Sequence, residues 1–365
     1  IRDRDVTGVQ TCALPISAEQ ERAPGPALTP RHHWFGVRSF PTVNTTLERW
    51  LLPRWELGRD RGGAWLALHR EGDEAVDLPM PHDRTPLPSV AQIHHEPDEA
   101  GWHDRVAQAH QALAEGAIRK VVLARRTVVV TEAELDAVDL FVALAQVEPG
   151  TYRFLLPMTG GGAYLGASPE RILQVRGEVC ETEALAGTRP RGATTTEDEA
   201  QRAELAGSLK DDDEHAIVGR WLHRQLQLAG CRDIEVQPRE TKGFRRVWHL
   251  CTPIVARRPV DDTTLLSALH PSPDLCGEPR AGALQFLAQH EDFQRDGYCG
   301  AVGVRHSGGG EWAAGLRSAW VAGRRLVVPA GAGIVAASDA AAEWRELNVK
   351  ASVVLSLLPS TPEVA

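Results

Sequence analysis

No apolar run in this chain approaches the roughly 18 residues that a membrane-crossing helix requires, so no membrane partner is expected. No stretch of lysine and arginine is long enough to form a basic stripe. With a formal net charge of −9, that argues against nucleic acid or an anionic membrane surface as a ligand. The six cysteines contain no CxxC pair and no His/Cys cluster at zinc spacing. They suit a reducing, cytoplasmic setting with free thiols rather than a disulfide framework. There is no GxGxxG and no regular alternation of single strands with helices, which disfavours a doubly wound dinucleotide fold. Internal repeats are also lacking. What remains is the composition of a globular protein, 42% apolar and 24% charged over 365 residues, long enough for one large domain or two ordinary ones.

Residues 1–16, IRDRDVTGVQTCALPI, have an apolar part too short and too polar for a signal-peptide core. They resemble a translated sequencing-adapter read joined to a gene fragment. We expect this segment to be non-native and residues 17–101, with their Pro/Ala-rich linker, to be a truncated N-terminal part of the fold.

Strands are expected mostly in hairpins. Residues 55–69 read as strand, turn and strand, and 71–96 as a long Pro- and charge-rich loop. The adjacent His94 and His95 point to opposite faces of any strand and fit a surface better than a metal site. Residues 102–115 have helical spacing and end at Gly116, a good residue for a helix C-terminus. The strand 118–130 puts Lys120 on the same face as Val122 and Ala124. A lysine there is either paired, deprotonated, or extended to water from the strand end. A Ser-Pro kink interrupts the strands of 163–175, and Glu170 directly follows it, fixed at a strand mouth or free in a wet turn.

The strand 181–192 ends in Gly187-Thr188, where a backbone N–H and a hydroxyl can hold a carboxylate. Residues 194–228 read as largely helical, with Glu214 leading a stripe of Ile217, Val218 and Trp221 that looks buried; the alternative is a glutamate at its wet edge. A strand over 311–321 carries Arg317. The stretch 326–350 then combines a β-branched strand, the small residues 330–333, Ser338 as helix N-cap, and a helix to about residue 358. Glu343, Glu346 and Lys350 share one face of that helix. They could hold a divalent metal or form an ordinary solvated face with a Glu346–Lys350 pair. The pattern as a whole predicts an α+β fold built on mainly antiparallel sheets.

Nine segments, in order, resemble one family, the chorismate-utilising enzymes. They are KVVLARR at Lys120, GASPERIL at Gly166, ETEALAGTRPRG at Glu181, KDDDEH at Lys210, HLCTPIVA at His249, LHPSPDLCGEPR at Leu269, YCGAVG at Tyr298, GLRSAW at Gly315 and PAGAGIVAASDAAAEWRELNVK at Pro329. The resemblance covers 102–358 as the chorismate-binding catalytic region and leaves 359–365 as a tail. It implies a single large α/β/α sandwich and Mg²⁺ held by Glu214 and Glu346, with Glu343 and Asp211 supporting them. It further implies substrate contacts from Gly187, Thr188, His249, Tyr298, Arg317, Gly331, Ala332, Gly333 and Lys350.

Lys120 points within the family to members that add water to the ring. Lys120 is then the general base and Glu170 the general acid of an isochorismate synthase, serving menaquinone or siderophore synthesis without an obligatory amidotransferase. Burial would push both pKa values towards neutrality, the lysine down and the glutamate up. The alternatives are a salicylate synthase, an aminating anthranilate or aminodeoxychorismate synthase subunit, and a non-catalytic homologue. Ala301, Leu347 and Gly315 replace commoner proline, threonine and alanine, and Ala301 also occurs in salicylate synthases.

Overall fold

A computed structural model describes residues 10–12, 19–20, 33–41, 48–53, 55–60, 63–70, 83–158 and 161–359. Two large sheets dominate. The first runs Gly277–Glu278, Lys120–Thr131, Arg325–Ile334, Ser318–Ala322, Ala163–Ser168, Tyr152–Pro157, with Val90–Glu96 also on Lys120–Thr131. The second runs Arg232–Val236, Val247–Arg257, Val179–Pro190, Arg171–Arg176, Gly309–Ala314, Ala301–His306, Trp34–Arg38, Glu48–Leu51, with Glu240–Gly243 also on Val247–Arg257. A smaller sheet holds the expected hairpin, Trp55–Asp60 with Gly63–Arg70, and also Gln10–Cys12, which lies in the segment set aside from the sequence. Every ladder among the described residues is antiparallel, as the hairpin spacing predicts.

Helices cover the sheets in two groups. Glu99–Ala114, Ala137–Val147, Arg280–His290 and Ala340–Leu355 pack on the first, and Thr195–Gly207, Leu209–Leu228 and Asp262–Leu269 on the second. Side chains of both sheets, among them Leu123, Ala332, Leu173 and Ile254, join one apolar core, so the chain forms the expected sandwich.

The chain passes between the sheets at two neighbouring places. Ala163–Ser168 belongs to the first sheet and Arg171–Arg176 to the second, with only Pro169 and Glu170 between them. Proline cannot extend a ladder, so the strand breaks there. Gly309–Ala314 and Ser318–Ala322 are divided likewise by residues 315–317. The two crossings are tied together: the Ala314 N–H donates to the Glu170 carbonyl at 3.0 Å, and the Ala167 N–H to the Arg317 carbonyl at 3.1 Å.

Several expectations need correction. The loop expected over 71–96 ends in an edge strand, Val90–Glu96, whose exposed middle hides its alternation. The strand expected over 311–321 is two strands in different sheets. The helix expected over 194–228 is two helices divided at Ser208, whose side chain caps the second. On that second helix the buried stripe is Asp211, His215, Val218, Leu222 and Leu226, whereas Ile217 is 44% exposed. Asp339, not Ser338, caps the last helix, and Ser338 instead accepts from the Val335 N–H.

Candidate active site

The site begins with two missing side chains. Gly331 and Gly333 lie two apart on one strand, so both open the same face. A Cβ on Gly333 would stand 2.9 Å from Lys120 Cε, and one on Gly331 would stand 2.7 Å from the Tyr298 hydroxyl. The small residues thus form a floor across which Lys120 and Tyr298 lie. Ala332, between them, is fully buried in the core and can offer a ligand only its backbone. From the last helix, Lys350 reaches back to the Gly331 carbonyl at 2.8 Å and to Glu346 at 2.5 Å.

Lys120 does not extend to water. Its Nζ lies 2.5 Å from Asp274 Oδ1, with only 17% and 16% of the two side chains exposed. Of the alternatives open from sequence, the structure shows the paired one. Asp274 and Glu170 line one narrow cavity, together with Ser272, Thr182 and Glu183. Burial, then Asp274 and Glu183, push the Glu170 carboxyl up to about 8 against the pull of Lys120 and Lys242. Glu170 therefore carries a proton at neutral pH. An open cavity of about 440 Å³, lined by Pro86, Asp136 and Gly323 among others, lies elsewhere and contains none of these groups.

The strand Val179–Pro190 bulges at Gly187, whose φ of +75° falls in the left-handed region open to glycine. The bulge turns the Gly187 carbonyl and the Thr188 hydroxyl onto His249 Nδ1, at 3.1 and 3.0 Å. A carbonyl only accepts, so Nδ1 bears the hydrogen. Nε2, buried and without a hydrogen-bond partner among the described residues, is then a free acceptor. Burial is the main reason the His249 pKa drops to about 4, with Arg317, Lys242 and Lys350 adding to it over the opposing Gly187 bond. The ring is neutral at physiological pH.

Arg317 occupies the second crossing with φ +48°. Its guanidinium makes no hydrogen bond or ion pair among the described residues, and the carboxylates of Glu148 and Glu346 lie within its electrostatic reach. Burial holds Tyr298 far above the usual phenol range, so its hydroxyl remains a donor. These two groups suit an incoming carboxylate.

Glu346 is raised by burial but lowered more by Lys350, with Arg317 and Lys120 helping. The net shift is downward, and the carboxylate is ionised. With 53% of its side chain exposed, it is a hard oxygen donor of the kind a divalent cation takes. Glu214 lies on the helix Leu209–Leu228, but its side chain is outside the described residues. Among the described residues no three His, Cys, Asp or Glu side chains gather as a metal site. Asp211 pairs with Arg189 at 2.8 Å.

The structure therefore brings Lys120, Glu170, Tyr298, Arg317, His249, Gly331, Gly333, Glu346 and Lys350 into one electrostatic neighbourhood. Sequence reasoning missed Asp274 and the buried pair Lys242–Glu183, 2.5 Å apart. Asp274 stood in the segment LHPSPDLCGEPR, which the resemblance used without assigning it a role. Its signal was a carboxylate directly after the Pro271-Ser272-Pro273 run, where nothing in periodicity assigns a partner.

Known proteins resemble this chain over most of its length. The family described as chorismate binding enzyme matches residues 24–356. Isochorismate synthase MenF of Escherichia coli is 33% identical over 346 residues, covering 89% of this chain and 78% of that protein. The chloroplastic isochorismate synthase 2 of Arabidopsis thaliana is also 33% identical, over 72% of this chain but only 48% of its own length. The solved structure of the menaquinone-specific isochorismate synthase MenF from Escherichia coli superposes with a TM-score of 0.82 at 30% identity, covering 90% of this chain and 79% of that one.

Proposed function

The chain belongs to the chorismate-binding enzyme family, and from that premise we propose that it is an isochorismate synthase converting chorismate to isochorismate. The observation that supports this reading most is the ion pair of Lys120 with Asp274, a residue that also lines a narrow cavity with the protonated Glu170.

The chemistry is a displacement around the ring. Water adds to C2, the ring double bonds shift, and the C4–O bond breaks. Lys120, once freed of its proton, takes a proton from the attacking water, and Glu170 gives its own to the departing C4 hydroxyl, which leaves as water. Charges balance: the amine ends protonated and the carboxyl ionised, with no redox step and no covalent intermediate. Arg317 and Tyr298 bind the enolpyruvyl carboxylate. Lys350 and the 331–333 backbone border the ring carboxylate. Gly187 and Thr188 orient His249, whose Nε2 accepts from a ring hydroxyl. Glu346, together with Glu214, would hold Mg²⁺, which supplies positive charge opposite the ring carboxylate.

The experiment is chromatography of products after incubation with chorismate and Mg²⁺. Isochorismate formation supports the reading, and no loss of chorismate defeats it. Salicylate fluorescence would instead mark pyruvate elimination, and ammonia-dependent anthranilate an aminating subunit. Similarity to a menaquinone-specific relative supports the menaquinone branch over a siderophore. The reading further takes the protein to act in the cytoplasm and without an amidotransferase partner.

A further inference from the structure

The resemblance that singles out Lys120 and Glu170 assigns nothing to Asp274. The structure fixes its carboxylate against Lys120 at 2.5 Å and in the cavity that Glu170 also lines. The loop that carries it is riveted to the Lys120 strand: Leu275 and Cys276 N–H groups donate to the Ser272 carbonyl, the Val122 N–H donates to the Cys276 carbonyl at 2.8 Å, and Gly277–Glu278 pairs with Val121 and Lys120. On its other side Asp274 faces the cavity shared with Glu170.

We propose that Asp274 is a positioning residue: its carboxylate holds the Lys120 amine over Gly333 and, through one negative charge shared by base and acid, sets the pH range in which the pair works. The inference rests on the isochorismate synthase reading and adds to it a residue and a measurable property. Lys120 faces Asp274, with Glu170 and Glu346 in electrostatic reach. Glu170 faces Asp274, Glu183, Lys120, Lys242 and Arg317. Asp274 also acts on His215. An anion between an amine and a carboxyl group favours the protonated form of each. Activity needs the amine deprotonated and the carboxyl protonated, so removing the anion moves both limbs of the pH–rate profile in the same direction, towards acid.

The test is the pH dependence of kcat for isochorismate formation by Asp274→Asn and Asp274→Glu. In Asp274→Asn the whole bell should move down by about one pH unit. KM for chorismate should stay within about 2-fold, since uniform substrate binding is untouched. Asp274→Glu restores the charge and should bring the bell back towards the parent position. A bell that is lowered but not displaced in Asp274→Asn, or displaced equally in both variants, overturns the proposal. Asp274→Ser provides the same neutral comparison should the asparagine variant not fold. Lys120→Ala and Glu170→Gln separate the two levels. If the parent protein forms no isochorismate, the functional reading fails; if either variant retains full turnover, the base and acid roles fail. If both are inactive and the bell of Asp274→Asn stays in place, only this inference fails.

Discussion

Glu170 stands at a crossing only two residues long, and its backbone carbonyl is occupied by the neighbouring crossing. Its side chain is held among Asp274, Glu183, Lys120 and Lys242, with the carboxyl pushed up to about 8. As a general acid it works only when protonated. The pH–rate profile should therefore show an ionisation near 8 that disappears in Glu170→Gln, and a carboxyl ionisation near the ordinary glutamate value in its place would contradict that role. Glu170→Gln keeps the volume and removes the proton. We expect kcat to fall by about 10²–10⁴-fold, with chorismate affinity largely retained, as a binding titration would show. Gly333 offers a second test. A methyl group there meets Lys120 Cε at 2.9 Å, the far end of a flexible side chain. Gly333→Ala should fold with a stability change below about 1 kcal/mol, as the chain end gives way. Its kcat should drop about 10-fold or more through misplacement of the amine. Unchanged kcat would mean that Lys120 does not work from this position.

Among the elements, the bulge at Gly187 links backbone conformation to ligand binding. In Gly187→Ala the left-handed φ costs about 1–2 kcal/mol, and the new Cβ meets Asp211 Cβ at 3.2 Å. Denaturant melts should show that loss. KM should rise as well, because Thr188 and His249 take their places from the bulge; a destabilised variant with unchanged KM would separate the two. The paired strands were legible because alternation and turn residues act locally. Val90–Glu96 was not, because His94 is exposed on an edge while His95 packs edge-on against Trp344, 5.2 Å away. The division at residues 315–317 was hidden for a different reason: both halves read as strand, and only the tertiary arrangement assigns them to separate sheets. The helix stripe was misjudged by one position because Ile217 looks like core while His215, bonded to Thr252 at 2.7 Å, is the buried residue. Lys120 was legible as a charge on an apolar strand face, and Glu170 as the residue that follows a Ser-Pro kink. The ion pair with Asp274, 154 residues away, was not, since pairing across that separation follows from the fold and not from spacing.

At the scale of the whole molecule, the two sheets share one core and the site lies where the chain passes between them, so its charges are coupled to global stability. Glu170 binds its proton up to about pH 8 when folded but only to the ordinary carboxyl value of 4.5 when unfolded. A raised carboxyl contributes stability that is fully present below the unfolded value and is lost as pH rises through the folded one. His249 and His270 act in the opposite sense. Burial lowers each from 6.5 to about 4, so their contribution is present above 6.5 and lost as pH falls towards 4. Between pH 6.5 and 4.5 the two histidines therefore weaken the fold on acidification while Glu170 opposes them. Glu170→Gln removes the opposing group and leaves the histidines in place. Its unfolding free energy should fall with acidification more steeply than that of the parent, by up to about 1.4 kcal/mol per pH unit across this window. Urea melts of both proteins at several pH values measure the difference directly. Parallel pH dependences would mean that Glu170 is not buried as a neutral acid, and the source of the catalytic proton would have to be sought elsewhere in the pocket.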